Sequence, residues 1–357
     1  MKRFVAALAA FALLASFPAP PAGAAETRLV LAHSTLRLSE FPYPFEDLTG
    51  AIVLSSGVWS LDPLQFRVFD SPFSASGWFA DGTKRDLTVR SRGVLPADLA
   101  RILPDLPYFR AVSPVTASVR FERDGAAPEQ RRFRFAAERF RVDASEVAKG
   151  LGTVEGGDLS ATAWKRGKEL VVENLSFTVF GGRFVYSGRR EEFRASLKRA
   201  RLGTALAAFP NLAGKVRGRL TVAAARRGDA VDGSFHVSDG SVRDLKFIAA
   251  LARATGNPKL TSLAVSEFSA DFSRRGATTL LNNLVLKSDI AELAANARVD
   301  DRALSGEGRL IVRLKVIADG RKGRKLGFLK KVLAKNSLTL KVRLGGTIDD
   351  PDLDVRL

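Results

Sequence analysis

Side chains able to do covalent, acid–base or metal chemistry are scarce in this chain of 357 residues. There is no cysteine, which excludes disulfides, thiol nucleophiles and cysteine-based metal sites. The two histidines, His33 and His236, lie too far apart in sequence to suggest a local ligand pair, and no metal site is expected. No P-loop, G-x-S-x-G or H-E-x-x-H pattern occurs. The paired acids Glu191-Glu192 and Asp300-Asp301 are chain neighbours, so on a strand they point to opposite faces. Two carboxylates brought together by folding, as glycoside hydrolysis needs, remain open. The expectation is a protein that is not an enzyme and carries no cofactor.

Two patterns offer non-covalent chemistry instead. The first is a set of apolar residues at strand spacing: Leu64, Phe66 and Val68; Leu175, Phe177 and Val179; Leu284 and Leu286. Each set points to one side of its strand. Aligned, the sets make a trough for acyl chains, which gain about 0.8 kcal/mol per buried methylene. Packed against the short helices, they make a closed core with no ligand. The second pattern is basic. Between positions 308 and 348 there are twelve Lys or Arg residues and one acid, Asp319. Arg321, Lys322, Arg324, Lys325, Lys330 and Lys331 lie in or beside an expected helix at 326–333. Its other face carries Leu326, Phe328, Leu329, Val332 and Leu333. A basic amphipathic helix reads as a contact with an anionic membrane surface; the plain alternative is a solvated face.

The apolar sets belong to a repeat. Residues 59–77 (WSLDPLQFRVFDSPFSASG) return at 170–188 (LVVENLSFTVFGGRFVYSG), with Leu64/Leu175, Phe66/Phe177, Val68/Val179, Phe69/Phe180, Phe73/Phe184, Ser76/Ser187 and Gly77/Gly188 identical. A weaker copy at 279–297 (TLLNNLVLKSDIAELAANA) keeps Leu281, Leu284, Leu286 and Leu293 but loses the aromatics. Alternation followed by turn formers predicts a strand and a reversal in each copy. Around the copies the chain alternates again, with helices predicted at 96–103, in the apolar stretch 202–209 and at 242–255, and a turn at Asp239-Gly240. In RFRFAAERFRV, Phe133, Phe135 and Phe140 alternate with arginines, giving one greasy and one cationic face. The prediction is a mainly β, elongated antiparallel sheet of about three units of ~110 residues (25–130, 131–232, 233–357), each with a short helix.

The N-terminus narrows the setting. Lys2 and Arg3 precede an apolar run at 4–17, too short for a ~30 Å hydrocarbon core. Pro18, Pro20 and Pro21 and then Ala22-Gly23-Ala24 complete a secretory signal peptide over 1–24; an uncleaved anchor is the alternative. The formal charge of +18 favours anionic partners. For an exported protein these are membrane surfaces or envelope polymers, not nucleic acid.

With those residues in view, the chain resembles the AsmA family of Gram-negative envelope proteins, related to TamB and other repeating-β-groove proteins. The features that carry the resemblance are DGSFHVSDGSVRDLKFIAALARATGN (232–257), the core NNLVLKS and the terminal GTIDDPDL (346–353). It implies a long, curved sheet with an apolar concave face, and work in phospholipid transport or outer-membrane assembly and homeostasis. Members keep an N-terminal inner-membrane helix, where this chain has a cleavage site. Some 20 strands at ~4.8 Å would span roughly 100 Å, which suits shuttling or membrane-surface work better than bridging two membranes. The expected partners are a phospholipid or other envelope lipid and an anionic membrane surface, in the periplasm; protein partners stay unnamed. The rival expectation is a non-enzymatic scaffold that docks on anionic membranes through its basic C-terminal region.

Overall fold

The computed structural model describes residues 26–37, 43–80, 83–102, 109–145, 152–207, 209, 212–244, 248, 249, 252, 260–313, 337–347 and 350–356. The leader at 1–24 and the basic helix predicted at 326–333, with all six of its named cations, lie outside them. The described chain is mainly β: open antiparallel sheet, not closed into a barrel, with two short helices. It divides into two compact units, residues 1–178 with 186–189, and residues 179–185 with 190–357.

Unit 1 is a meander. Strands β1 (Thr27–Leu36), β2 (Phe45–Ser55), β3 (Val58–Val68), β4 (Ser71–Ala80) and β5 (Lys84–Val94) pair in sequence order. Helix α1 (Pro96–Ile102) and the short β6 (Phe109–Ala111) intervene before β7 (Val115–Arg123), which pairs with β5. Then follow β8 (Gln130–Asp143), β9 (Thr153–Arg166) and β10 (Glu169–Val179). Helix α1 forms where predicted, with Pro96 at its start, where a missing N–H does no harm. Its Leu99 and Ile102 are buried in one cluster with Phe66, Val68, Phe73, Leu87, Val89, Val119 and Phe121, which the two-residue period of β3, β4, β5 and β7 sends to one face. Phe66 meets Phe45 edge-on at 5.3 Å and stacks on Phe73 at 5.7 Å. Phe133, Phe135 and Phe140 of β8 turn to this core, while Arg134, Arg139 and Arg141 are exposed.

Unit 2 runs from the end of β10 through part of β11 (Gly182–Arg189) to β12 (Glu192–Arg201), α2 (Leu202–Ala205), β13 (Val216–Arg227), β14 (Ala230–Arg243) and β15 (Ser262–Arg275). It continues through β16 (Thr278–Ser288), β17 (Ala291–Asp300), β18 (Ala303–Arg313), β19 (Ser337–Thr347) and β20 (Asp350–Arg356). From β12 onward each strand pairs antiparallel with the next. Its core is aliphatic: Leu263, Val265, Leu284, Leu286, Leu293, Leu310, Val312, Leu340 and Val342.

The structure revises two sequence expectations. Asp239-Gly240 does not reverse the chain. Asp239 takes φ 51°, and β14 has one residue more than β13 there, a bulge inside a strand held on both sides, with Ser241 opposite Arg217 and Gly240 opposite Val265. The helix predicted from 242 starts later, because Val242 and Arg243 still belong to β14 and Val242 faces both Val216 and Leu263. Residues 248, 249 and 252 are helical, and the rest of 245–259 lies outside the described residues.

The repeat is visible in backbone detail. Copies one and three carry a register break at the same place, between Leu61 and Leu64 in β3 and between Leu281 and Leu284 in β16. The partners also correspond: Gly77 and Ala75 in the first, Ala297 and Ala295 in the third. A bulge leaves a backbone N–H outside the ladder. Pro63 removes that N–H in copy one. In copy three Asn283 takes φ 51° and its N–H donates to Asn296 Oδ1 at 3.1 Å. Copies one and two share two other conformations: Phe69 and Phe180 at φ 56° and 52°, and Gly77 and Gly188 at φ 128° and 124°.

Candidate functional site

The three apolar sets meet three environments. Leu64, Phe66 and Val68 are enclosed in the unit 1 core, Leu64 with 0% of its surface exposed. Leu175 and Phe177 are half-buried against that core, Phe177 edge-on to Phe140 at 5.5 Å, and Val179 is buried. Leu284 and Leu286 are also mostly buried, but they border open space.

That space is a cavity of 430 Å³ in unit 2. Leu284, Leu286 and Leu281 of β16 contribute to it with Leu293 of β17, Val265 and Phe268 of β15, Phe235 and Val237 of β14, and Val216 and Leu220 of β13. Leu202 of α2, with Leu206 and Leu212 just beyond it, lines another side, and Arg217 and Asp352 are its charged members. The volume falls within the ~300–1,000 Å³ of small-molecule sites. Its origin lies in β13. That strand alternates as a half-buried strand should, yet none of its residues is buried. Helix α2 explains part of this. The stretch predicted helical at 202–209 winds for only Leu202–Ala205, and Gly203 and Thr204 are weak helix formers. In unit 1, by contrast, the two-turn α1 sets Leu99 and Ile102 over the sheet.

Local hydrogen bonding fixes the sheet edges beside these interiors. In unit 1 the buried Asp98 of α1 accepts from Ser71 Oγ at 2.6 Å and from Asp70 N–H at 3.2 Å, tying the helix to the β3–β4 turn. Tyr43 lies 4.6 Å from Phe69, and the Arg101 guanidinium lies 5.0 Å from the same ring. In unit 2 the β16–β17 turn is closed by a side chain. The buried Ser288 Oγ closes it by donating to Ala291 C=O and accepting from Ala291 N–H, at 2.8 and 2.9 Å.

The polar face of unit 2 is organised by ion pairs. Lys287 donates to Glu267 at 2.9 Å and holds that carboxyl below its usual range, with help from Ser269. Arg298 does the same for Asp300 at 2.6 Å, with Thr278 adding a second donor. Asp300 and the neighbouring turn residue Asp301, at φ 56°, therefore serve the β17–β18 turn. In unit 1, Arg120 is bidentate to Asp86, at 2.8 and 2.6 Å, and its proton is held more tightly than usual. His33 and Asp47 make an exposed pair at 2.5 Å. Among the described residues there is no cluster of three His, Cys, Asp or Glu side chains that could hold a metal, and no helix long and apolar enough to cross a membrane.

The structure thus brings Leu284 and Leu286 to the cavity with residues the repeat did not single out: Leu220, Phe235, Val237, Val265 and Phe268. Their alternation in β13–β15 was readable; that no residue of β13 would be fully buried was not. Compared with protein-family models, with curated proteins and with solved structures, the chain finds no match in any of the three.

Proposed function

We propose that the protein binds lipid acyl chains in the apolar cavity of unit 2, as an exported cell-envelope protein that supports phospholipid transport or outer-membrane assembly. The observation that carries this is a cavity of 430 Å³ walled by aliphatic and aromatic side chains with only Arg217 and Asp352 as charged members. Such a cavity rewards methylene burial at about 0.8 kcal/mol each and offers few polar groups to orient a more polar ligand. The AsmA resemblance and the N-terminal leader support the periplasm of a Gram-negative bacterium as the setting, with inner-membrane anchoring by the same segment as the alternative. The reading is non-enzymatic. Phospholipid and anionic membrane surface are its partners, the latter through the basic stretch from Arg321 to Lys331.

Native mass spectrometry of protein purified from its own envelope, with organic extraction, tests it. Co-purified phospholipid supports the reading, and its consistent absence would sink it. The enclosed interior of unit 1 favours a second reading, a scaffold that docks on anionic membranes and carries no lipid. Vesicle binding without any extractable lipid would favour that one.

A further inference from the structure

On the face of β16–β19 opposite the apolar cavity lies a second concavity, of 760 Å³. Leu286 and Leu293 line the first, Asn283, Val285 and Ala294 line the second, and Leu284 borders both. The small side chain of Ala294 lies at the depression, and Arg309, Lys341, Arg343 and Glu307 stand around it. Arg343 and Glu307 are directly opposed in register and lie 3.7 Å apart. Arg309 and Lys341 are also directly opposed in register, cation against cation. Like charges in that position destabilise a sheet. Opposed cations recur in the sheet, Arg120 with Arg132 and Arg201 with Arg219 among them, and Arg120 is also paired with Asp86; the Arg309–Lys341 pair is set apart by the concavity it flanks. Among the described residues, no hydrogen bond or ion pair engages the side chain of Arg309 or Lys341.

We propose that this cleft is a binding site for a phosphate ester, with Arg309 and Lys341 on either side of the phosphate. A guanidinium offers two parallel donors to phosphate oxygens and an ammonium a compact charge beside them. Asn296, whose Oδ1 is already used by Asn283 N–H, keeps its amide donors for the ester's body, and Val285 and Ala294 give that body an apolar wall. The ester could be the headgroup of a phospholipid or a soluble molecule. The site is independent of the acyl cavity.

The test titrates the full chain with glycerol phosphate by calorimetry. The paired substitution Arg309→Gln with Lys341→Gln should weaken binding at least about tenfold, since each hydrogen bond between charged groups is worth about 1.5–3 kcal/mol. A control pair of exposed unit 1 cations, Arg90→Gln with Arg134→Gln, removes the same charge and should leave binding nearly unchanged. Equal losses from the two pairs, or no binding by the unaltered chain, would overturn the site. Should the cleft variant not fold, amide shifts in the unaltered chain decide: movement at Ala294, Gly308 and Val342 supports it, and movement confined elsewhere refutes it. Flotation with phosphatidylglycerol vesicles then assigns the source. Vesicle binding lost in the cleft variant means a lipid headgroup; glycerol phosphate binding with no such loss means a soluble ester.

Discussion

The two units are built from the same hairpin and finish with different interiors. In unit 1, β3 and β4 present Phe66 and Phe73 to a core that α1 closes with Leu99 and Ile102. In unit 2, β16 and β17 present Leu286 and Leu293 at the corresponding positions, and among the described residues they border a cavity. The backbone hardly differs: both hairpins break register at the same residue pair. What differs is volume and cover. Each Phe-to-Leu exchange gives up volume, and among the described residues α2 adds a single turn at the cavity where α1 adds two, with Ile248 also buried in the unit 2 core. A repeat can therefore hold its strand geometry while changing a filled core into a cavity.

The sharpest way to break this comparison is to truncate the matched residues. Phe66→Ala should cost about 3–5 kcal/mol in urea unfolding, because its neighbours are fixed on all sides. Leu286→Ala should cost nearer ~2 kcal/mol, the low end for such changes, since that side chain already borders empty space. Equal losses would mean that the two sites do not differ in packing.

Overpacking gives the converse. Val89→Phe, in the filled unit 1 core, should cost about 1–3 kcal/mol. Leu220→Phe, at the cavity wall, should change stability by less than ~0.5 kcal/mol, while acyl binding by fluorescence displacement weakens. A backbone contrast is comparable in size. Gly77 sits at φ 128°, and a Cβ there would stand 2.0 Å from Asp86 O. Gly77→Ala should lower stability by about 1–3 kcal/mol or more, whereas Ala297→Gly at the matching place in unit 2 should cost only ~0.5–1 kcal/mol. Thermal melts of both variants check it.

The smallest effect is one of pH. Glu267 and Asp300 have folded pKa values below their unfolded ones, so the unfolded state binds more protons near the ordinary carboxylate range. Their stabilisation is present above that range and is lost as pH falls through the lowered folded values. Asp300→Asn should flatten the acid limb of a stability–pH curve slightly, and an unchanged limb would remove the Arg298 pair from the account.

Much of the fold was legible because strand alternation is a strong signal when one face is buried. Leu64, Phe66 and Val68 declare their face by spacing alone, and Pro96 marks the start of α1. Asp239-Gly240 misled because left-handed residues serve bulges as well as turns, and only the neighbours β13 and β15 decide between them. The apolar sets were legible as a group of strand faces, but their division was not. Whether Phe66 is enclosed or Leu286 borders a cavity depends on how far a helix elsewhere in the chain extends over the sheet, and no local pattern carries that. The paired cations Arg309 and Lys341 were likewise separated by a long stretch of sequence; only the β18–β19 register opposes them.

On the proposed function, unit 2 should hold an acyl chain and unit 1 should not. Photocrosslinking with a diazirine-bearing fatty acid, followed by peptide mapping, tests it directly. Labels are expected on peptides of β13–β17, at residues such as Leu220, Phe235, Val265 and Leu286. Labels on β3–β5 peptides at equal yield, or none in unit 2 at saturating probe, would contradict it.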